Sequence, residues 1–240
     1  MTDLLKDLER KLQADIEGEL LFDRFSRGRY ATDASHYQVF PAGVLVPRSL
    51  DDVRAAIAHC RSEGVPILSR GGGSSQCGQT VNQALVIDYS KYLNQIVSLD
   101  VGRQRCTVEP GIVLDELNDR LRKEGLWFPV DVSTASRATL GGMAGNNSAG
   151  SRSIKYGMMR DNVLSIQALL ADGADRTFSV YDRDSNGQLR TDELVDKLIS
   201  LGEREREEIV RRFPSVLRRV GGYNLDSLVS GTRPINLSHL

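Results

Sequence analysis

Between Gly43 and Gly78 the sequence runs strand, capped helix, strand and glycine-rich loop, an order that only a few architectures accommodate. GVLVP at 43–47 reads as an apolar strand. In SLDDVRAAIAHCRSEG, Ser49 can cap the start of a helix and Gly64 can end it. VPILS at 65–69 is the next strand, so residues 43–69 form a strand–helix–strand unit. The loop Arg70-Gly71-Gly72-Gly73-Ser74-Ser75-Gln76-Cys77-Gly78 follows at once, and ALVIDYS is a further strand.

Glycines lack a Cβ, so they reach left-handed backbone angles and let a ligand approach closely; Gly72 is expected to need such an angle. Successive N–H groups in a loop of this kind form a nest for anionic oxygens, and the hydroxyls of Ser74 and Ser75 add donors. A diphosphate is the natural guest. A tight turn without a ligand is the competing reading. The loop is not the dinucleotide G-x-G-x-x-G fingerprint, because no helix clearly starts there.

Residues 3–20 place Leu4, Leu5, Leu8, Leu12 and Ile16 near helical spacing, which predicts an amphipathic lead helix before a polar stretch. IVSLDVGRQRCTVEPG from Ile96 reads as a hairpin turning at Asp100-Val101-Gly102. VLDELNDRLRKEG is an amphipathic helix closed by Gly125, and VLSIQALLADGADRTFSV is a second hairpin turning at Asp172-Gly173. The tail from Arg190 to Phe213-Pro214 is mainly helical. A strand–helix–strand start with later hairpins argues for an α+β fold.

Residues 129–150 are dense in small and turn-forming types. In Thr139-Leu140-Gly141-Gly142-Met143-Ala144-Gly145-Asn146-Asn147-Ser148-Ala149-Gly150, eight of twelve are Gly, Asn, Ser or Thr. Such a segment is either a long surface loop or a backbone-lined wall, with amides and hydroxyls facing a flat ligand.

A formal net charge of -1 gives no global field for nucleic acid or an anionic membrane. Arg211, Arg212, Arg218 and Arg219 cluster, but Glu203, Glu205, Glu207 and Glu208 lie just upstream, so a solvated helix of mixed charge is expected. Cys60, Cys77 and Cys106 are scattered, with no disulfide or metal spacing. The N-terminus has no apolar signal region and no long apolar run occurs, which makes a cytoplasmic protein without a membrane span the expectation.

The two glycine-rich segments, with Val108-Glu109-Pro110-Gly111 between them and Lys155-Tyr156-Gly157 after, resemble the PCMH-type FAD-binding domain of the vanillyl-alcohol oxidase superfamily. The motifs stand in family order from about Tyr30 to Gly173. PAGVLVPRSLDDV, RGGGSSQCGQTVN, VDVSTASRATLGGMAGNNSAGSRSIKYG and DNVLSIQALLADG look most like the glycolate oxidase D-subunit, D-lactate and D-2-hydroxyglutarate dehydrogenase group. GGYNLD, reached through an extra helical segment, resembles larger members that also carry iron–sulfur modules.

The resemblance implies an α+β fold of two α/β subdomains, incomplete at its C-terminus. Residues 1–40 would be a lead-in, 41–178 the FAD-binding domain, and 179–240 a helical insertion with the start of the remaining FAD-domain segment. Arg70, Gly71, Gly72, Gly73, Ser74, Ser75, Gly78 and Gln79 would hold the FAD pyrophosphate. Pro110 and Gly111 would line the adenine and ribose. Asp131, Ser133, Thr134, Thr139, Gly141, Gly142, Asn146, Asn147 and Ser148 would run toward the flavin, with Tyr156 and Gly157 beside that path. Covalently flavinylated relatives often carry His where Ser74 stands, so the flavin is expected to be noncovalent. The activity implied is oxidation of a small 2-hydroxy acid, with electrons passed to a separate acceptor. The groups that grip the substrate would lie beyond Leu240, so His36, His59 and His239 receive no catalytic role.

A rival reading comes from Asp182 to Glu193 (DRDSNGQLRTDE), which fits an EF-hand loop with oxygen ligands at positions 1, 3, 5 and 12 and glycine at 6. It would make the chain a calcium-binding regulatory module. The hairpin pattern before it, in place of an entering helix, argues for a polar turn capping the next helix.

Overall fold

The computed structural model describes residues 3–181, 193–216, 218–229 and 234–240. The chain opens with helix α1 (Asp3–Asp15), strand β1 (Glu19–Leu21) and the short helix α2 (Arg24–Arg29). Strand β2 (Gly43–Val46), helix α3 (Leu50–Glu63), strand β3 (Ile67–Arg70) and strand β4 (Leu85–Asp88) follow. The sheet order is β1-β2-β4-β3, with β1 antiparallel to β2 and β4 parallel to both its neighbours. Leu85, Val86 and Ile87 of the central β4 are fully buried, as a strand covered on both faces requires.

The signals around α3 work as read. Ser49 and Asp52 form a reciprocal capping box, and Gly64 closes the helix at φ 67°. Asp52 is 2% exposed and also accepts the backbone N–H groups of Glu17 and Arg48, at 2.9 and 2.7 Å. Val53, Ala56, Ile57 and Cys60 on its inner face pack in one core with Leu8 and Leu12 of α1 and with Leu45, Leu85 and Ile87. Each fully buried leucine there contributes about 1.5–3 kcal/mol of transfer free energy.

A second core lies later in the chain. Hairpin β5 (Ile96–Asp100) and β6 (Arg105–Val108) leads to α4 (Leu114–Leu121), then α5 (Leu140–Gly145) and α6 (Ser153–Tyr156). Hairpin β7 (Ile166–Leu169) and β8 (Asp175–Phe178) comes next, then α7 (Glu193–Arg204) and α8 (Arg206–Arg212). Ile112, Leu114, Leu117, Leu121, Val130, Leu140 and Met143 bury against one another. Two cores, one around a largely parallel sheet and one beside hairpins, make the α+β architecture concrete.

Three local expectations change. The lead helix stops at Asp15 and not at residue 20, because Glu19–Leu21 pair with Val44–Val46; a side chain at Gly18 would meet the Val46 carbonyl at 2.6 Å. The first hairpin turns later than Asp100-Val101-Gly102, and Gln104 takes the positive φ of 53°. The second glycine-rich segment is not a loop throughout, since α5 runs through it. Residues 182–192 of the EF-hand-like match lie outside the described residues, and its last position, Glu193, opens α7. No described helix is long and apolar enough to cross a membrane.

Candidate functional site

Strand β3 delivers the chain at Arg70 into the first glycine-rich loop. None of the backbone N–H groups of residues 71–79 donates to a protein acceptor among the described residues. An array of unpaired donors on one short loop is what an anionic, multi-oxygen ligand requires. Gly73 and Gly78 hold the left-handed angles, φ 64° and 78°. Gly72 does not, which corrects the expectation for it. Its constraint is steric, because a Cβ there would lie 2.1 Å from the Arg137 carbonyl oxygen. A Cβ on Gly71 would lie 2.1 Å from Thr139 Oγ1. The absence of both side chains is what lets the first loop sit directly on residues 137–139, at the head of the second segment.

Arg70 has a different task from the one expected. Its guanidinium donates to the carbonyls of Tyr30, Thr80 and Thr32 (3.2, 3.2 and 2.8 Å) and stacks over the Tyr30 ring. It therefore braces the loop against residues 30–32 and 80. Sequence reasoning missed the partners of this brace. Tyr30 donates its hydroxyl to Asp88 at 2.8 Å, and burial followed by the Asp88 charge raises its pKa. Asp33 accepts from Thr80 Oγ1 and Ser35 N, both at 2.8 Å, and Ala34 N–H donates to Gly73 O at 3.1 Å. Burial pushes the Asp33 carboxyl up, but the Ser35 and Thr80 bonds together outweigh it and hold the pKa below its usual value. A short polar run with one Asp carries no sequence signal strong enough to reveal such a strap.

The second segment presents surface in place of amide donors. Thr139, 2% exposed, caps α5 by accepting Gly142 N–H on Oγ1. Leu140 and Gly141 donate to the carbonyls of Ile112 and Pro110, and Met143, Asn146, Asn147 and Ser148 donate within the segment. The expected amide wall is thus engaged by its own helix. Pro110 and Gly111 form the joint between the cores: Gly111 N–H donates to Leu93 O at 2.8 Å, and a Cβ on Gly111 would meet the Tyr89 carbonyl at 2.0 Å.

Asp131 faces residues 150–152, accepting Ser151 Oγ and Arg152 N–H at 2.7 and 3.0 Å. Desolvation opposes ionisation, but these bonds and the Arg152 charge lower its pKa. Its oxygens hold the entry to α6. Asn147 is turned toward the end of the chain, and Ser148 Oγ is held by Asn146 at 3.1 Å. Tyr156 packs edge-on to Trp127 with centroids 5.2 Å apart, and Gly157 takes φ 80° above Asp161. Ser75 bonds Gln79, whereas the hydroxyls of Ser74, Ser133 and Thr134 make no hydrogen bond among the described residues. A separate concavity of about 620 Å³ opens along α7, lined by Leu198, Leu201 and Arg204 among others. It contains no residue of either glycine-rich segment and presents no donor array.

A family model described as an FAD binding domain matches residues 41–179, which span both segments and the joint between them. The chain belongs to the FAD-binding domain family. Among relatives of this FAD-binding chain, D-2-hydroxyglutarate dehydrogenase from Pantoea ananatis is 34% identical over 236 residues, covering 95% of this chain and 23% of that protein. Glycolate oxidase subunit GlcD from Bacillus subtilis is 34% identical over 175 residues, covering 71% of this chain and 37% of that one. The chain thus spans about a quarter to a third of the length of the D-2-hydroxyglutarate dehydrogenases it matches. In structure it is similar to an alkyldihydroxyacetonephosphate synthase, with a TM-score of 0.65 at 23% identity over 73% of this chain and 35% of that one. It is likewise similar to 6-hydroxy-D-nicotine oxidase from Arthrobacter nicotinovorans, with a TM-score of 0.59 at 26% identity over 68% and 36% of the two chains.

Proposed function

We propose that this chain is the FAD-binding portion of a flavin-dependent oxidoreductase that oxidises a small 2-hydroxy acid. The observation that carries the reading is the run of N–H groups at 71–79 that donate to no protein acceptor among the described residues, on a loop seated on residues 137–139 by two side-chain-free contacts. Those donors match a diphosphate, and the free hydroxyls of Ser74, Ser133 and Thr134 extend the polar surface. When bound, FAD supplies the isoalloxazine that accepts a hydride from the carbon bearing the hydroxyl. The chain's own residues bind and orient it: the 71–79 loop at the phosphates, and α5 with residues 131–134 along its length. Relatives named for D-2-hydroxyglutarate and glycolate support the 2-hydroxy-acid class.

We assign no catalytic base here. His59 is paired with Asp15 at 2.7 Å, and His239 Nε2 lies 3.0 Å from the Val163 carbonyl. The chain spans 23% of the D-2-hydroxyglutarate dehydrogenase it matches, and the reading places a base and a carboxylate-binding arginine in the rest of such an enzyme, with electrons leaving to a separate acceptor. Acid extraction of the purified protein followed by chromatography tests the assignment. FAD in the supernatant is the expected result. Protein that takes up no added FAD, or yields FMN alone, refutes the reading, and flavin retained in the precipitate refutes noncovalent binding beside Ser74.

A further inference from the structure

The arginine cluster read from sequence as one solvated helix face divides in two. Arg211 and Arg212 stay on α8 and pair with Glu208. Arg218 and Arg219 lie past the helix end, where Arg218 stays exposed and Arg219 turns inward. Asp226 accepts two parallel N–H bonds from Arg160, at 3.1 and 3.2 Å, and a third from Arg219 at 2.8 Å. The two arginine side chains are only 20% and 13% exposed. Arg219 also stacks on the Phe213 ring at 3.8 Å and donates to the Pro214 carbonyl. Bidentate pairing on one face and stacking on another leave this cluster little freedom to rearrange.

Contacts run from the cluster straight into the second glycine-rich segment. Arg160 N–H donates to Asn147 Oδ1 at 3.0 Å, while Asn147 Nδ2 donates to Arg219 O and Asn224 Oδ1 at 3.4 and 3.5 Å. Arg218 donates to the Ala149 carbonyl at 3.2 Å, and Met159 N–H closes onto Ser148 O at 2.8 Å. Asn147 holds φ 45°, the left-handed angle of the residue that follows the C-cap of α5, where Asn147 N–H donates to Ala144 O and Ser148 N–H to Met143 O. Residues 160, 219 and 224 add the bonds to its side chain.

We propose that Asp226 is a positioning residue for the flavin: by fixing Arg160 and Arg219 it braces the Asn147 side chain against the turn that ends α5 and so sets the wall formed by Asn146–Ser148. The inference rests on the reading that this wall lines FAD. Replacing the carboxylate by an amide removes the charge between two guanidinium groups and puts an NH2 donor where one of the two accepting oxygens stood. The bonds from residues 160 and 219 to the Asn147 side chain then loosen, while β2, α3 and the 71–79 loop keep every contact described above.

The full chain is compared as wild type, Asp226→Asn and Asp226→Glu. FAD affinity is read by quenching of flavin fluorescence, the environment of the bound flavin by visible circular dichroism, and the turn by hydrogen exchange at Ser148 and Met159. Asp226→Asn should weaken FAD binding on the order of tenfold. It should also speed exchange at those two amides and alter the visible dichroism, with Asp226→Glu recovering affinity toward wild type. Wild-type affinity and dichroism in Asp226→Asn, with or without faster exchange, overturn the proposal. So does weaker binding with exchange unchanged, because the cluster then does not hold the turn. If the wild type itself takes up no FAD, the functional reading falls and the proposal with it; that failure is recognised by its independence of residue 226.

Discussion

Substitution of Gly72 by alanine isolates the contact that unites the two halves of the site. The added Cβ would stand 2.1 Å from the Arg137 carbonyl oxygen and 2.9 Å from its carbon, and both belong to backbone that cannot rotate away. Ordinary contact begins near 3.4 Å, so the loop and residues 137–138 must part by about 1.3 Å. Forced overpacking of this size costs about 2 kcal/mol. If that cost falls on the arrangement competent for FAD, the affinity loss is roughly thirtyfold. Titration with FAD measures the loss, and far-UV circular dichroism checks that the sheet survives. Gly64→Ala is the matched control: its φ of 67° is also unfavourable to a side chain, but nothing lies within 4 Å of the new Cβ. It should lower stability by about 1 kcal/mol and leave FAD affinity alone. A Gly72→Ala protein that binds FAD as tightly as wild type would show that the seating of the loop on residue 137 does not form the site.

Four further outcomes follow from other contacts. Asp52→Ala removes a buried acceptor from the N–H groups of Glu17, Arg48 and Ser49; the urea midpoint should fall by the equivalent of about 3 kcal/mol with an unchanged m-value. Thr139→Val keeps the volume but leaves Gly142 N–H uncapped, so a loss of about 1 kcal/mol is expected in the same assay. The Asp226 pKa is lowered: desolvation opposes this, but the bonds from Arg160 and Arg219 prevail. Its stabilisation is therefore present above the unfolded value of about 3.9 and is lost as pH falls through the lower folded value; thermal melts below pH 4 should show a shallower acid dependence in Asp226→Asn than in wild type. Cys77 is exposed in the loop, whereas burial pushes the Cys60 thiol up to about 12; an alkylating reagent should modify Cys77 and spare Cys60 in the folded protein, and added FAD should slow the reaction at Cys77.

What the sequence could determine by itself was local. Ser49, Asp52 and Gly64 mark the ends of α3 because caps are made by atoms a few residues apart. The Asp172-Gly173 turn is legible for the same reason, with Gly173 at φ 85°. The glycine run after a strand announces a loop that must pack closely or bind an anion, and among the described residues its N–H groups donate to no protein acceptor. Tertiary structure alone decided what each of these pieces meets. Glu19–Leu21 become a strand because β2 offers them an edge, and three residues carry no period of their own. Gly72 needs to be glycine because of Arg137, not because of its own φ. Arg70 reads like a phosphate ligand, and only the fold places the carbonyls of Tyr30, Thr32 and Thr80 around its guanidinium. Arg211 and Arg219 are the same residue type within one short stretch, yet one faces solvent beside Glu208 and the other clamps Asp226. Short-range propensity and capping depend on neighbours along the chain and are written in their order. The partner of a glycine or a guanidinium depends on which distant backbone the two cores bring alongside it, and that is settled only when both cores have packed.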